Sequence, residues 1–294
     1  MGEISDALRR ARDGFRREQT SSPAAAAAPQ APLRREASTA NLAPLRDAAN
    51  AVTIPTDPAG DWQGRAVLAA PRSEVAEGYR HFAIRLQRKL KEMGARSVIV
   101  TSAARGEGKT TTASNLAQAL ASMSSGRRIA FIELDVRRPS ASRAFGIVPP
   151  VGIEQVLAGH ARIGEACMHT QLPELDLYLA AAPARDPLGS LSAPGTGQLL
   201  RDLSRQYDLL VIDSPPVLPV PDVPLLSAHA DAVLLVARNG VSRRAALRET
   251  IESIGDAKLI GVFLNEGRTP RHRRYYGYYA YEETPKPPEE GSPS

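Results

Sequence analysis

Short apolar runs alternate with amphipathic stretches along most of this chain. The runs at 97–101, 129–132, 175–179, 209–212, 232–237 and 259–264 are dominated by Val, Ile, Leu and Ala, as strands buried on both faces are. Residues 73–93, 110–123, 197–206 and 242–254 instead repeat their apolar positions at helical intervals. Alternating strands and helices predict an α/β, doubly wound, mostly parallel sheet covered on both sides.

The pattern fades at the two ends. Ile4, Leu8, Ala11 and Phe15 recur at spacings of four, three and four, one face of an amphipathic helix expected within residues 1–20. Residues 21–60 hold 13 alanines and 6 prolines without a sustained apolar period. Such a stretch buries too little surface to offset its ordering entropy, so 21–65 reads as a flexible linker. Residues 66–268 form the main domain, and 269–294 form a tail expected to be exposed and mobile.

Composition narrows the class. The 294 residues are 43% hydrophobic and 23% charged, which is globular. No run of about 18 apolar residues exists, because Asp213, Asp222 and five prolines break the most apolar stretch, 209–226. The N-terminus has no signal-peptide core. Cys167, the single cysteine, excludes an internal disulfide and any cysteine-based zinc, iron–sulfur or CxxC redox site, and fits a reducing cytoplasm. Five histidines, at 81, 160, 169, 229 and 272, show no metal-ligand spacing. A net charge of +5, 37 basic against 32 acidic residues, does not imply nucleic acid.

The chemistry concentrates after three strands. The run 97–101 leads into Arg105-Gly106-Glu107-Gly108-Lys109-Thr110-Thr111 and then a helix, the setting of a phosphate-binding P-loop. Gly106 and Gly108 let the backbone amides turn toward phosphate oxygens, and the helix adds its positive end. Lys109 is expected on the β- and γ-phosphates of ATP and the Thr110 hydroxyl on Mg²⁺. The first glycine of the general motif is replaced by Ala103. Strand 129–132 delivers Glu133 and Asp135, and strand 209–212 delivers Asp213, at the carboxyl ends where open α/β sheets bind ligands. Asp135 and Asp213 are candidate metal ligands, directly or through water. Asp135, with Glu133 second, is the candidate base. The tail crowds Tyr275, Tyr276, Tyr278, Tyr279 and Tyr281 into seven positions. Each is a candidate phosphoacceptor whose phenol, with a pKa near 10, needs a neighbouring base.

These motifs in this order resemble the bacterial tyrosine kinase (BY-kinase) family, in the form without a fused membrane segment. Gly106–Thr111 matches its Walker A loop, 133–139 its acidic A′ motif, 213–216 its Walker B motif and 275–281 its tyrosine cluster. The A′ motif usually begins with Asp, where this chain has Glu133. The family's oligomerisation helix, E-x-x-R-x-x-R, is matched at Glu77 and Arg80 but meets Ala83 in third place. The resemblance covers roughly residues 66–281. It implies a deviant Walker-type P-loop NTPase fold and ATP-dependent autophosphorylation of the tail, usually between neighbouring subunits of a homo-oligomer. It also implies recruitment from the cytoplasm to a membrane polysaccharide co-polymerase governing capsular or extracellular polysaccharide polymerisation and export. Two alternatives stay open: a septum-positioning or chromosome-partitioning ATPase switch, whose signature lysine is replaced here by Ala104, and a nucleotide-binding scaffold without kinase activity.

Overall fold

The computed structural model describes residues 51–57, 63–124, 126–255 and 258–267. The expected N-terminal helix and the tyrosine tail lie outside these residues. Helix α1 (Glu74–Met93) precedes β1 (Ser97–Ser102), α2 (Lys109–Ser122), β2 (Ile129–Glu133) and the short α3 (Ala141–Phe145). Strands β3 (Met168–His169) and β4 (Leu175–Tyr178) follow, then α4 (Pro194–Gln206), β5 (Leu209–Asp213), α5 (Asp222–Ser227), β6 (Ala232–Arg238), α6 (Arg244–Ile254) and β7 (Leu259–Asn265). The sheet order is β3-β4-β2-β5-β1-β6-β7. All pairs are parallel except β3 with β4.

Period-2 alternation divides the core into two layers. Val98 and Val100 of β1 face the side where Leu86 and Leu90 of α1 pack with Leu116 and Leu120 of α2. Ile99 faces the other side, among Ile132, Ile212 and Leu200 and Leu203 of α4. Each fully buried aliphatic side chain contributes roughly 1.5–3 kcal/mol, and β1, β2 and β5 are buried at every position. Helix α1 starts where the Ser73 hydroxyl accepts the Ala76 N–H (3.2 Å) and stops at Gly94, whose φ of 66° is a left-handed terminator.

The core reaches further toward the N-terminus than the expected boundary at residue 66. Val52 N–H donates to the His169 carbonyl at 2.8 Å, the Ile54 amide donates to Gln171 Oε1 at 2.9 Å, and Ile54 is fully buried. Residues 63–65 also dock, with the Gln63 and Gly64 carbonyls accepting from Asn115 and Gln118 of α2. The linker reading therefore fails for 51–57 and 63–65. An extended segment anchored by one isoleucine and side-chain amides has no periodic signal to stand out from alanine and proline neighbours.

Sheet order also fixes where a ligand sits. β1 lies between β5 and β6, and the chain leaves it toward β2 on one side and later returns to β6 on the other. The loop after β1 thus opens at the topological switch point.

Candidate active site

The loop between β1 and α2 is shaped by two glycines. Gly106 has φ 77° and Gly108 φ 91°, and Gly108 stands at the N-cap of α2. A Cβ on Gly108 would run into the Asn265 side-chain amide, so position 108 excludes other residues on two grounds. Ala103 needs no such freedom: it is buried against Leu235 and Leu247, and Glu266 is the sole positive-φ non-glycine among the described residues.

Three of the sequence-predicted side chains meet at the loop, and a fourth lies beneath it. Lys109 Nζ pairs with Asp135 Oδ2 at 2.7 Å and lies 3.3 Å from the Thr110 hydroxyl. That hydroxyl donates to Asp213 Oδ2 at 2.7 Å and accepts from Ser140 Oγ at 3.1 Å. Asp213 is fully buried, and its Oδ1 has no hydrogen bond. Burial, resisted by Lys109 and the Thr110 hydrogen bond, pushes the Asp213 carboxyl up to about 6. For Lys109, burial works against the ammonium, but Asp213 and Asp135 outweigh it and hold its pKa above the ordinary lysine value.

Lys109, Thr110 and Asp135 border a cleft of about 900 Å³. Arg105, Gly106, Gly108, Lys109, Thr110, Thr111 and Asp135 line it, together with Tyr79 of α1. Three expected site residues do not: Glu133, Glu107 and Asp213, which lies beneath Thr110. Glu133 is fully buried; its Oε1 accepts the Ser140 (2.6 Å) and Ala141 (2.8 Å) amides and its Oε2 the Ala180 amide (3.0 Å). It ties the start of α3 and the end of β4 to β2, so the expected base role for Glu133 is replaced by a structural one. Burial, then the Asp213 charge, raises its carboxyl to about 7. Glu107, expected on phosphate, turns inward: it accepts the Ala104 amide (2.8 Å) and the Ser242 hydroxyl, bracing the loop from below.

Sequence reasoning missed a clasp over the loop. Arg238, at the end of β6, donates to the Gly106 carbonyl at 3.1 Å and pairs with Glu266 at 2.7 Å. Asn265, the last residue of β7, donates to the Glu107 carbonyl at 3.3 Å. A polar residue at the carboxyl end of a strand beside β1 was the available signal. On α1, Arg80 pairs with Glu77 at 2.6 Å, while Ala83 faces the core. The third position of the oligomerisation pattern therefore points inward.

A family model described as an AAA domain matches residues 95–258. Tyrosine-protein kinase YwqD of Bacillus subtilis is 29% identical over 214 residues, 72% of this chain and 89% of YwqD. The chain belongs to the bacterial tyrosine kinase family. The kinase domain of VpsO, a solved structure, superimposes with a TM-score of 0.59 at 31% identity, covering 66% of this chain and 98% of that domain. Succinoglycan biosynthesis transport protein ExoP of Rhizobium meliloti is 27% identical over 237 residues, 75% of this chain and 30% of ExoP. This family member thus spans most of YwqD and under a third of ExoP. Among its described residues no helix is long and apolar enough to cross a membrane.

Proposed function

We propose that the chain transfers the γ-phosphoryl group of ATP to tyrosines of its own 275–281 cluster, between neighbouring copies, and that this controls polysaccharide polymerisation and export through a membrane partner. The observation that carries this reading is the set Lys109, Asp135 and Thr110 on a glycine-shaped phosphate loop, with Asp213 beneath it. The rest of the support is the tyrosine cluster in the same chain and the family to which the chain belongs.

The chemistry divides among these groups. The triphosphate competes for Lys109, drawing its ammonium off Asp135 and onto the β- and γ-phosphates. The freed Asp135 carboxylate accepts the proton of an incoming phenol as the phenolic oxygen bonds to the γ-phosphorus. The bond to the β–γ bridging oxygen breaks, and ADP leaves. Thr110, Asp135 and Asp213 fit a Mg²⁺ ion, since hard oxygen donors converge there and Asp213 Oδ1 is buried without a partner. When bound, Mg²⁺ neutralises charge on the phosphate oxygens. Positioning is the protein's main contribution.

The tail is a better acceptor than the tyrosines of the fold. Tyr79 lines the cleft, but it stacks on Phe263 at 5.6 Å and burial pushes its phenol up to about 12. Tyr178 and Tyr207 are buried against each other, and burial raises both phenols further. The expected experiment is incubation with Mg²⁺ and radiolabelled ATP. Wild-type protein should gain label on the tail, and Lys109→Met, folded by circular dichroism, should not. Labelled tail in Lys109→Met would overturn the assignment. The switch reading is disfavoured by Ala104, which stands where that class carries its signature lysine.

A further inference from the structure

On the opposite side of the sheet order, three chemically different donors converge on β3 and β4. Cys167 Sγ lies 3.9 Å from His169 Nδ1, which lies 2.8 Å from Asp176 Oδ1. All three donor atoms are within 4.8 Å of one another. The register explains the meeting: His169 pairs with Asp176 across the antiparallel β3–β4 ladder, and Cys167 is two residues from His169 on the same face. One imidazole nitrogen thus faces two groups, while His169 Nε2 is buried without a partner. An outer shell already orients the carboxylate. Asp176 Oδ2 accepts from the Tyr207 hydroxyl at 2.7 Å and from Arg128 at 3.2 Å, leaving Oδ1 turned to the cluster.

We propose that Cys167, His169 and Asp176 form a site for a borderline-soft divalent cation of the zinc type, with a fourth position open to water. A tetrahedral ion holding sulfur at about 2.3 Å and nitrogen or oxygen at about 2.0–2.2 Å sets its ligand atoms roughly 3.3–3.7 Å apart. The observed 2.8 and 3.9 Å bracket that spacing, so small side-chain rotations admit the ion. A ligating carboxylate that is itself held by hydrogen bonds, as Asp176 is by Tyr207 and Arg128, is a feature of built metal sites. Arg128 opposes the ion's charge, but its side chain is 39% exposed and already paired to Asp176. Binding displaces the thiol proton, so it tightens as pH rises. The expectation that a lone cysteine excludes zinc considered cysteine ligand sets; a mixed set spanning two strands has no linear spacing to recognise. The site shares no residue with the phosphate loop and does not depend on the kinase reading.

The test is titration of the full chain with Co²⁺ under reducing conditions, followed by the near-ultraviolet thiolate-to-cobalt absorption. Cys167 is the chain's single cysteine, so no other side chain can produce that band. The expected result is a band saturating at one equivalent, displaced by Zn²⁺, lost in Cys167→Ser and shifted to at least tenfold weaker binding in His169→Ala. A wild-type protein without the band overturns the proposal, as does His169→Ala with undiminished affinity. Alkylation of Cys167 on the wild-type chain is a second readout that needs no variant. Stoichiometric Zn²⁺ should slow it at least tenfold, and an unchanged rate contradicts the site.

Discussion

The two acids delivered by β2 do opposite work although a single residue, Leu134, separates them. Asp135 faces the cleft and holds Lys109, whereas Glu133 gathers three backbone amides inside the fold. Asp135→Asn should therefore lower the autophosphorylation rate of the folded protein by about 10²–10⁴-fold, the usual contribution of a positioned base. Glu133→Gln should instead lower unfolding free energy by about 1–3 kcal/mol in a urea titration, because an amide NH₂ replaces an acceptor against a buried N–H. Equal losses of rate from the folded fraction of both variants would contradict this division. Asp213 supplies a pH signature. Its folded carboxyl titrates near 6, above the ordinary aspartate value, so the folded state holds the proton more tightly than the unfolded chain. The stability linked to it is fully present below about pH 4 and is lost as pH rises through about 6. Glu133, raised to about 7 by burial and the Asp213 charge, adds a decline of the same sign. Melting of the nucleotide-free protein between pH 4.5 and 7.5 should show the combined decline, and Asp213→Asn, which removes one group and a cause of the other's shift, should make it shallower. A slope as steep as the wild type's would contradict the Asp213 assignment.

Among the elements, the loop between β1 and α2 is held by its neighbours as much as by its own glycines. Arg238 and Asn265 reach it from β6 and β7, and Glu107 and Ser242 brace it from beneath. Gly108→Ala imposes a side chain at φ 91° against Asn265. It should cost at least about 1–2 kcal/mol of stability and weaken nucleotide binding at least tenfold by calorimetry; unchanged affinity would mean that the loop has another resting shape. The strands and long helices were legible because burial on both faces leaves continuous Val, Ile and Leu runs, and helix α1 carries its own cap and stop. The loop, Lys109, Thr110, Asp135 and Asp213 were legible because their spacing around strand ends is local. Residues 51–57, the clasp and the Cys167–His169–Asp176 cluster were not. Each depends on pairing between distant segments, Val52 with His169 or Arg238 with Gly106, which no periodicity encodes. Glu133 was misassigned because its position after a strand matches that of a ligand, while its carboxyl turns toward amides supplied by residues 140, 141 and 180.

At the scale of the whole molecule, the carboxyl ends of the central strands β1, β2 and β5 hold the phosphate chemistry and one edge of the sheet holds the β3–β4 pair, with a core layer on each face of the sheet. The tyrosines proposed as acceptors, 275–281, are separate in sequence from the residues of the phosphate loop, so catalysis and acceptor are separable by mutation. The decisive measurement is peptide-resolved mass spectrometry of the purified full chain before and after incubation with Mg²⁺ and ATP, at low and high protein concentration. The account predicts phosphoryl groups on residues 275–281, accumulating faster per molecule at the higher concentration. Nucleotide hydrolysis with no mass gained on those tyrosines at either concentration would contradict it.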